Sequence, residues 1–286
     1  MKKYEHAFGK NDVRGIYGED ITEELYYNIG RGFVDWLKKQ SAINENDMWI
    51  TVTRDARTHS PNLEKALCEG ITSTGANVVK LGLAPTPIGY YSEVVGLPPN
   101  ITDSKNVIAA AIITASHNPK EYNGLKMTYS KRTLTESQIA EVKEHTFREM
   151  EFAKEPSIPQ GQVRDYNIIP DYINEMKNKF GQIGKGIKVV VDSANATGGV
   201  VGPQLNKELG CDVIELSSTP DGNFPNHHPN PSVKKTLDTL KETVIENKAD
   251  IGIAFDGDSD RIGIVDQDGK FLTGDKLLLI YAMDLI

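Results

Sequence analysis

Apolar residues recur along this chain in two rhythms, and the switches between them mark its elements. Short runs rich in apolar residues at 48–53, 78–81, 107–113, 187–192, 213–216 and 251–255 have the length and β-branching of strands. Val107–Ile113 and Ile251–Phe255 carry no charge, as strands buried on both faces do. Between these runs the apolar spacing is helical. Leu25, Tyr26, Ile29, Phe33, Val34 and Leu37 follow Thr22 as a cap, with Glu23 and Glu24 in the first turn. Leu63, Leu67, Ile71 and Thr74 follow Ser60-Pro61, read as N-cap and first helical position, and Gly75 closes that helix. Another helix is expected over 134–150, capped by Thr135, with Ile139, Val142 and Phe147 on its apolar face. Three more are expected near 168–180, 199–209 and 233–247. Strand and helix patterns alternate throughout, which predicts an α/β protein with parallel strand pairs and crossover helices.

The periodicity lapses between Ala153 and Gln162, where two prolines stand in a run without pattern, and a domain boundary is expected there. At 286 residues the chain suits about two domains. A hydrophobic fraction of 38% and a charged fraction of 25% are those of a globular protein with substantial cores. The net charge of −8 excludes a broad basic surface for a nucleic-acid backbone, so an anionic substrate would need a local cluster of cations. No run approaches the ~18 apolar residues of a membrane span, and no apolar segment follows Lys2-Lys3, so no membrane partner and a cytoplasmic location are expected. Cys68 and Cys211 are too few and too far apart for a disulfide framework, and buried reduced thiols are expected.

Two strand ends carry candidate chemistry. After Ile113 come Thr114-Ala115-Ser116-His117-Asn118-Pro119, polar residues on a sharp loop, since Pro119 keeps Asn118 out of the α region. Open α/β sheets bind ligands at the carboxyl edge of their strands. A serine hydroxyl beside a histidine on a rigid strand end can act as nucleophile or carry a covalent group; a capped turn with a satisfied serine is the plainer alternative. Asn123-Gly124 is a turn signal, from which 125–129 can return as a strand and bring Lys126 back near Ser116. Arg14, in a short strand over 11–16, reads by composition as a surface charge.

The second strand end is Asp256-Gly257-Asp258-Ser259-Asp260-Arg261, after Ile251–Phe255. Carboxylates at alternate positions, with a glycine letting the backbone fold, can aim oxygens at one point. Two unit charges ~4 Å apart repel by about 4 kcal/mol at an effective dielectric of ~20, so the cluster is costly without a cation. Three oxygen ligands without sulfur or imidazole suit Mg²⁺, with Asp256, Asp258 and Asp260 as ligands; a solvated acidic turn is the alternative. An EF-hand calcium loop does not fit, because a strand precedes the cluster and Gln267 stands where that loop needs glutamate. Adjacent His227 and His228 invite zinc, but neighbours in sequence rarely face one metal and no third soft ligand is near. An aspartate-nucleophile phosphatase or phosphomutase of the haloacid-dehalogenase type also begins at a strand followed by alternating aspartates. It leaves the serine loop unexplained and expects Thr or Val at Asp260.

Taken together, T-A-S-H-N-P at 114–119, E-Y-N-G-L-K at 121–126, D-G-D-S-D-R at 256–261, N-D-V-R-G at 11–15 and F-P-N-H-H-P-N-P at 224–231 resemble the α-D-phosphohexomutase superfamily, in its phosphomannomutase/phosphoglucomutase group. Asn11 stands where the family pattern has aspartate. The resemblance implies two consecutive three-layer α/β/α domains with mixed, mostly parallel sheets, plus the start of a third. The serine-bearing domain would span 1–155 and the metal-binding domain 156–265, with 266–286 opening a truncated third. It also implies a phosphorylated Ser116 joining Asp256, Asp258 and Asp260 around Mg²⁺. Lys126 would then be a general acid/base, and Arg14, His117 and Arg261 would position the phosphoryl group. Hexose phosphates are the implied substrates, with H-H-P-N-P leaning toward mannose and glucose over glucosamine. The sugar-selecting loop of the family's third domain is not in this chain, so weak activity or a non-catalytic phosphosugar-binding fragment is the corresponding expectation.

Overall fold

The computed structural model describes residues 2–103, 105–152 and 160–284. The chain divides into two compact units, Met1–Ala115 with Pro119–Ile168, and Ser116–Asn118 with Ile169–Ile286.

In the first unit the elements are β1 (Val13–Ile16), α1 (Glu23–Ser41), β2 (Trp49–Arg54), α2 (Ser60–Thr72), β3 (Asn77–Leu83), α3 (Thr86–Val95), α4 (Pro99–Thr102), β4 (Val107–Ile113), β5 (Tyr122–Tyr129), β6 (Arg132–Thr133), α5 (Glu136–Phe152) and β7 (Val163–Asp165). The sheet order is β1-β5-β4-β2-β3-β7, with β6 on β5. Parallel pairs β4/β2, β2/β3 and β3/β7 form one side, while β5 runs antiparallel to both β4 and β1. Side chains on β2 alternate between two covered faces. Ile50 and Val52 join the core filled by Leu25, Ile29 and Phe33 of α1, Leu67 of α2 and Val142 of α5. Thr51 points the other way, its Oγ1 2.8 Å from Ser92 Oγ on α3. Gly89 is what lets α3 approach, since a Cβ there would lie 2.6 Å from Ile112 Cγ1 and 3.2 Å from Thr53 Oγ1. Helices therefore cover both faces, in three layers.

The helix ends follow their sequence signals. Thr22 Oγ1 accepts from Leu25 N at 3.2 Å, while acidic Glu23 and Glu24 begin α1 and Lys38 and Lys39 end it, as the helix dipole favours. At α5 a reciprocal capping box forms: Gln138 N donates to Thr135 Oγ1 at 3.4 Å and Thr135 N donates to Gln138 Oε1 at 2.9 Å.

The second unit contains α6 (Ile169–Phe180), β8 (Lys188–Asp192), α7 (Gly202–Glu208), β9 (Asp212–Leu216), α8 (Asp238–Asn247), β10 (Ile251–Phe255), β11 (Ile262–Asp266), β12 (Phe271–Leu272) and α9 (Gly274–Asp284). Its sheet order is β12-β11-β10-β8-β9, parallel for β10/β8/β9 and antiparallel beyond β10. One face buries Val190, Ala254 and Val265 under Leu240 and Val244 of α8. On the other, Gly202 at the start of α7 lies against Phe255 and Val191.

Several local expectations are corrected. The helix after β2 starts at Ser60 with His59 as its N-cap, and Ser60 Oγ, instead of capping, donates to Asp55 Oδ1 at 2.6 Å. Asn123-Gly124 lies inside β5, not in a turn. A Cβ on Gly124 would fall 2.4 Å from Val13 O, so the glycine serves the close pairing of β5 with β1. Cys68 is buried but Cys211 is only half-buried, and both are free thiols. The expected boundary at 155 lies outside the described residues. Beyond it β7 pairs with β3, so the first unit continues to Ile168, and β12 extends the second unit's sheet past 265. Among the described residues no helix is long and apolar enough to cross a membrane.

Candidate functional site

Both loops singled out in the sequence leave the carboxyl ends of parallel strands, Ser116 after β4 and Asp256 directly after β10. Ser116 is buried and has φ +52°, a left-handed conformation uncommon for a residue with a side chain. Such strain concentrates where surrounding contacts enforce it. Its hydroxyl donates to Asp256 Oδ2 at 2.6 Å. The other oxygen of that carboxylate, Oδ1, accepts from the amides of Asp260 at 3.1 Å and Arg261 at 3.2 Å, which curls the acidic loop back over its strand. Ser259, at φ +58°, closes the curl by donating its amide to Asp256 O. Gly257 permits the two loops to touch, because a Cβ there would lie 2.2 Å from Ser116 O. Thr197, in the loop after β8, donates its hydroxyl to Gly257 O at 3.1 Å.

One carboxylate oxygen from each of Asp256, Asp258 and Asp260 lies within 4.8 Å of the others; the first two residues are buried and the third exposed. Burial, followed by the charge of Asp258, pushes the Asp256 carboxyl up to about 7, although the hydrogen bond from Ser116 opposes the rise. A carboxyl held that far above its usual range is one whose negative charge lacks compensation. The donor set is all oxygen and its converging charge is costly, so the three residues can hold a hard divalent cation. Arg261 brings positive charge to the cluster, its Nε 3.8 Å from Asp260 Oδ1. Its Nη1 also donates to His117 Nδ1 at 2.6 Å. A guanidinium only donates, so Nδ1 is an acceptor here. Thus Ser116, His117, Arg261 and the three aspartates are brought together in the second unit.

The other two expected residues lie in the first unit. Arg14 on β1 is no free surface charge: it donates to Ala115 O at 3.3 Å and pairs with Asp12. Lys126 sits on β5 opposite Ile112 of β4, half-buried. Two groups of residues were not foreseen. After β2, the buried pair Asp55 and Arg57 reaches into both ends of the serine loop, Asp55 Oδ2 accepting from Ala115 N at 3.3 Å and Arg57 Nη1 donating to Pro119 O at 2.5 Å. The signal was the charged run Arg54-Asp55-Ala56-Arg57 at a strand end, visible in the sequence but without an indicated partner. At the end of β8, Asp192 Oδ2 lies 2.9 Å from His227 Nε2. Burial pulls the His227 pKa down, but the hydrogen bond and charge of Asp192 outweigh it and leave the ring above its usual value. His227 is thereby tied to a carboxylate, and the proline loop that follows packs Pro229 toward Gly257 and Pro231 against Gly263.

A family model described as phosphoglucomutase/phosphomannomutase, alpha/beta/alpha domain I, matches residues 5–153, and its companion for domain II matches residues 170–269. The chain is 35% identical over 279 residues to a phosphomannomutase/phosphoglucomutase of Pseudomonas aeruginosa, covering 98% of this chain and 56% of that protein. It is 33% identical over 279 residues to a phosphoglucomutase of Neisseria meningitidis, covering 98% and 57%. A crystal structure of a phosphoglucomutase/phosphomannomutase family protein from Burkholderia thailandensis matches with a TM-score of 0.88 at 31% identity, over 98% of this chain and 58% of that one. The chain thus spans a little over half the length of these relatives.

Proposed function

Because this chain belongs to the phosphoglucomutase/phosphomannomutase family of the α-D-phosphohexomutase superfamily, we propose that it carries the phosphoryl-transfer centre of a mutase interconverting hexose 1-phosphate and hexose 6-phosphate. Ser116 is the residue that carries the phosphoryl group. The observation that supports this most directly is the buried Ser116 hydroxyl, 2.6 Å from a carboxylate of a three-aspartate cluster. Phosphoserine 116 gives its phosphoryl group to the free hydroxyl of the bound hexose phosphate: the Oγ–P bond breaks, a sugar O–P bond forms, and the hydroxyl proton, taken by Lys126 as general acid/base, is passed on to the Ser116 oxygen so that free serine is left. The resulting bisphosphate then returns its other phosphoryl group to Ser116. Asp256, Asp258 and Asp260 would hold Mg²⁺, which when bound offsets negative charge on the transferring group. Arg14, His117 and Arg261 donate hydrogen bonds to phosphoryl oxygens and orient them for transfer.

Glucose and mannose phosphates are the proposed substrates, in keeping with the names of the relatives, and the cytoplasm is the proposed location. Incubation with Mg²⁺ and glucose 1,6-bisphosphate, followed by intact-mass analysis and peptide mapping, tests the assignment. Phosphate on Ser116, absent from Ser116→Ala, is expected. Phosphate on Asp256 with Ser116 bare would overturn it in favour of an aspartate nucleophile. Lys126→Ala is expected to slow transfer by roughly 10²–10⁴-fold without removing Ser116 as acceptor.

A further inference from the structure

The serine loop hangs from β4 and returns into β5, and what sets its shape is a group of side chains from the β2–α2 connection. Asp55 and Arg57 are both buried there, and Arg57 Nε donates to Asp55 Oδ2 at 3.0 Å. The same carboxylate receives the Arg57 amide at 3.1 Å and the Ser60 hydroxyl at 2.6 Å on Oδ1, and the Ala115 amide at 3.3 Å on Oδ2. Arg57 Nη1 meanwhile donates to Pro119 O at 2.5 Å and to Tyr122 O at 3.1 Å. His59 Nε2 lies 3.1 Å from Lys120 O, and its Nδ1 accepts from Asn123 at 2.7 Å. The loop is therefore gripped immediately before Ser116 and again three to seven residues after it. Between the grips Ser116 is held at φ +52°.

Burying a guanidinium and a carboxylate gains little stability over an apolar pair of the same volume, so stability alone is a weak reason for such a pair. A planar guanidinium in a fixed fork does supply geometry, because its donors reach separate acceptors from one rigid group. We infer that Arg57, oriented by Asp55, is a positioning residue that clamps the 115–122 loop and aims the Ser116 hydroxyl. This rests on the reading of Ser116 as the phosphoryl carrier.

The test uses Arg57→Lys, which keeps the charge and loses the fork, in the full chain with Mg²⁺ and glucose 1,6-bisphosphate. Phosphoryl uptake is followed by intact mass, and amide hydrogen exchange is read in parallel. At saturating bisphosphate, uptake should slow by about 10²-fold, the loss expected when a reacting atom is misplaced by about 1 Å. The half-saturating concentration should move less than about threefold, since Arg57 aims the acceptor and does not bind the sugar. Exchange should accelerate over 115–122 while α1 and the core of β2 keep their protection. Uptake within about threefold of wild type, or protection lost evenly through the first unit, would overturn the clamp. Should the lysine variant not fold, Asp55→Asn carries the test, with the same localised exchange and slowed uptake expected, and no change overturning the proposal. Wild-type protein that takes up no phosphate, or a Ser116→Ala variant that still does, would instead remove the phosphoserine reading, and the clamp with it. A wild type labelled at Ser116 beside an indifferent Arg57→Lys removes the clamp alone.

Discussion

Gly257→Ala isolates the contact on which the acidic loop and the serine loop depend. The added Cβ would lie 2.2 Å from Ser116 O and 3.1 Å from Ser116 C, well inside van der Waals contact, and Pro229 Cγ stands 3.6 Å away behind it. The obstructing atom is a backbone carbonyl and cannot rotate aside as a flexible side chain would. Relief needs one loop to retreat by roughly 1 Å. Overpacking of this kind costs about 1–3 kcal/mol. At roughly 2–4 °C per kcal/mol for a protein of this size, the thermal midpoint should fall by a few to about ten degrees. The larger effect should be on chemistry, because the carbonyl that moves belongs to Ser116. A 1 Å displacement of the reacting hydroxyl is worth about 10²-fold in phosphoryl uptake. Calorimetry and the intact-mass assay measure the two, with Gly274→Ala as control, since a Cβ there meets nothing within 4 Å. If Gly257→Ala melts with wild type and is phosphorylated at the wild-type rate, the tight loop contact does not position Ser116 and the reasoning fails.

The remaining predictions concern charge and capping. Asp256 is raised to about 7 in the metal-free protein. Its contribution to stability is therefore fully present below the unfolded carboxylate range near pH ~4 and is lost as pH rises through about 7. Melting in EDTA should show that decline, Asp256→Asn should flatten it, and added Mg²⁺ should offset it at the upper end; a metal-free melting profile flat from pH 4 to 7 would contradict the cluster's electrostatics. His227, raised by Asp192, should titrate above the ordinary ~6.5 in histidine NMR spectra. Its stabilisation is complete below about pH 6.5 and lost as pH rises through the folded value, and Asp192→Asn should lower the ring's pKa, because burial is then opposed only by the hydrogen bond to His228 O. Thr135→Ala removes one half of the α5 capping box and should cost about 0.5–2 kcal/mol in denaturant unfolding, with phosphoryl uptake by the folded protein unchanged.

What could be read from the sequence was whatever leaves a local or periodic trace. The uncharged run before Thr114 and the one before Asp256 each sit next to their own loop, so strand, strand end and polar residues could be read in one glance. The α1 and α5 caps are likewise legible within four residues. Arg57 is different, because its acceptors Pro119 and Tyr122 lie 62 and 65 residues on, and only the parallel pairing of β2 with β4 makes them neighbours. His227 meets Asp192 across 35 residues for the same kind of reason, through a loop folded back over the end of β8. Gly124 was misread because glycine beside asparagine signals two demands at once, a positive φ or a close approach, and local sequence cannot separate them. Here the demand was approach, to Val13 O. Gly257 answers the same demand at the site, while it is Ser116, a residue with a Cβ, that adopts the positive φ. The left-handed turn thus falls on the residue proposed to carry the phosphoryl group, and its steric cost is borne by the contacts that hold the loop. On the proposed reading, a glycine at 116 would relieve that cost but remove the residue that carries the phosphoryl group, which is why a side chain stands at this positive φ.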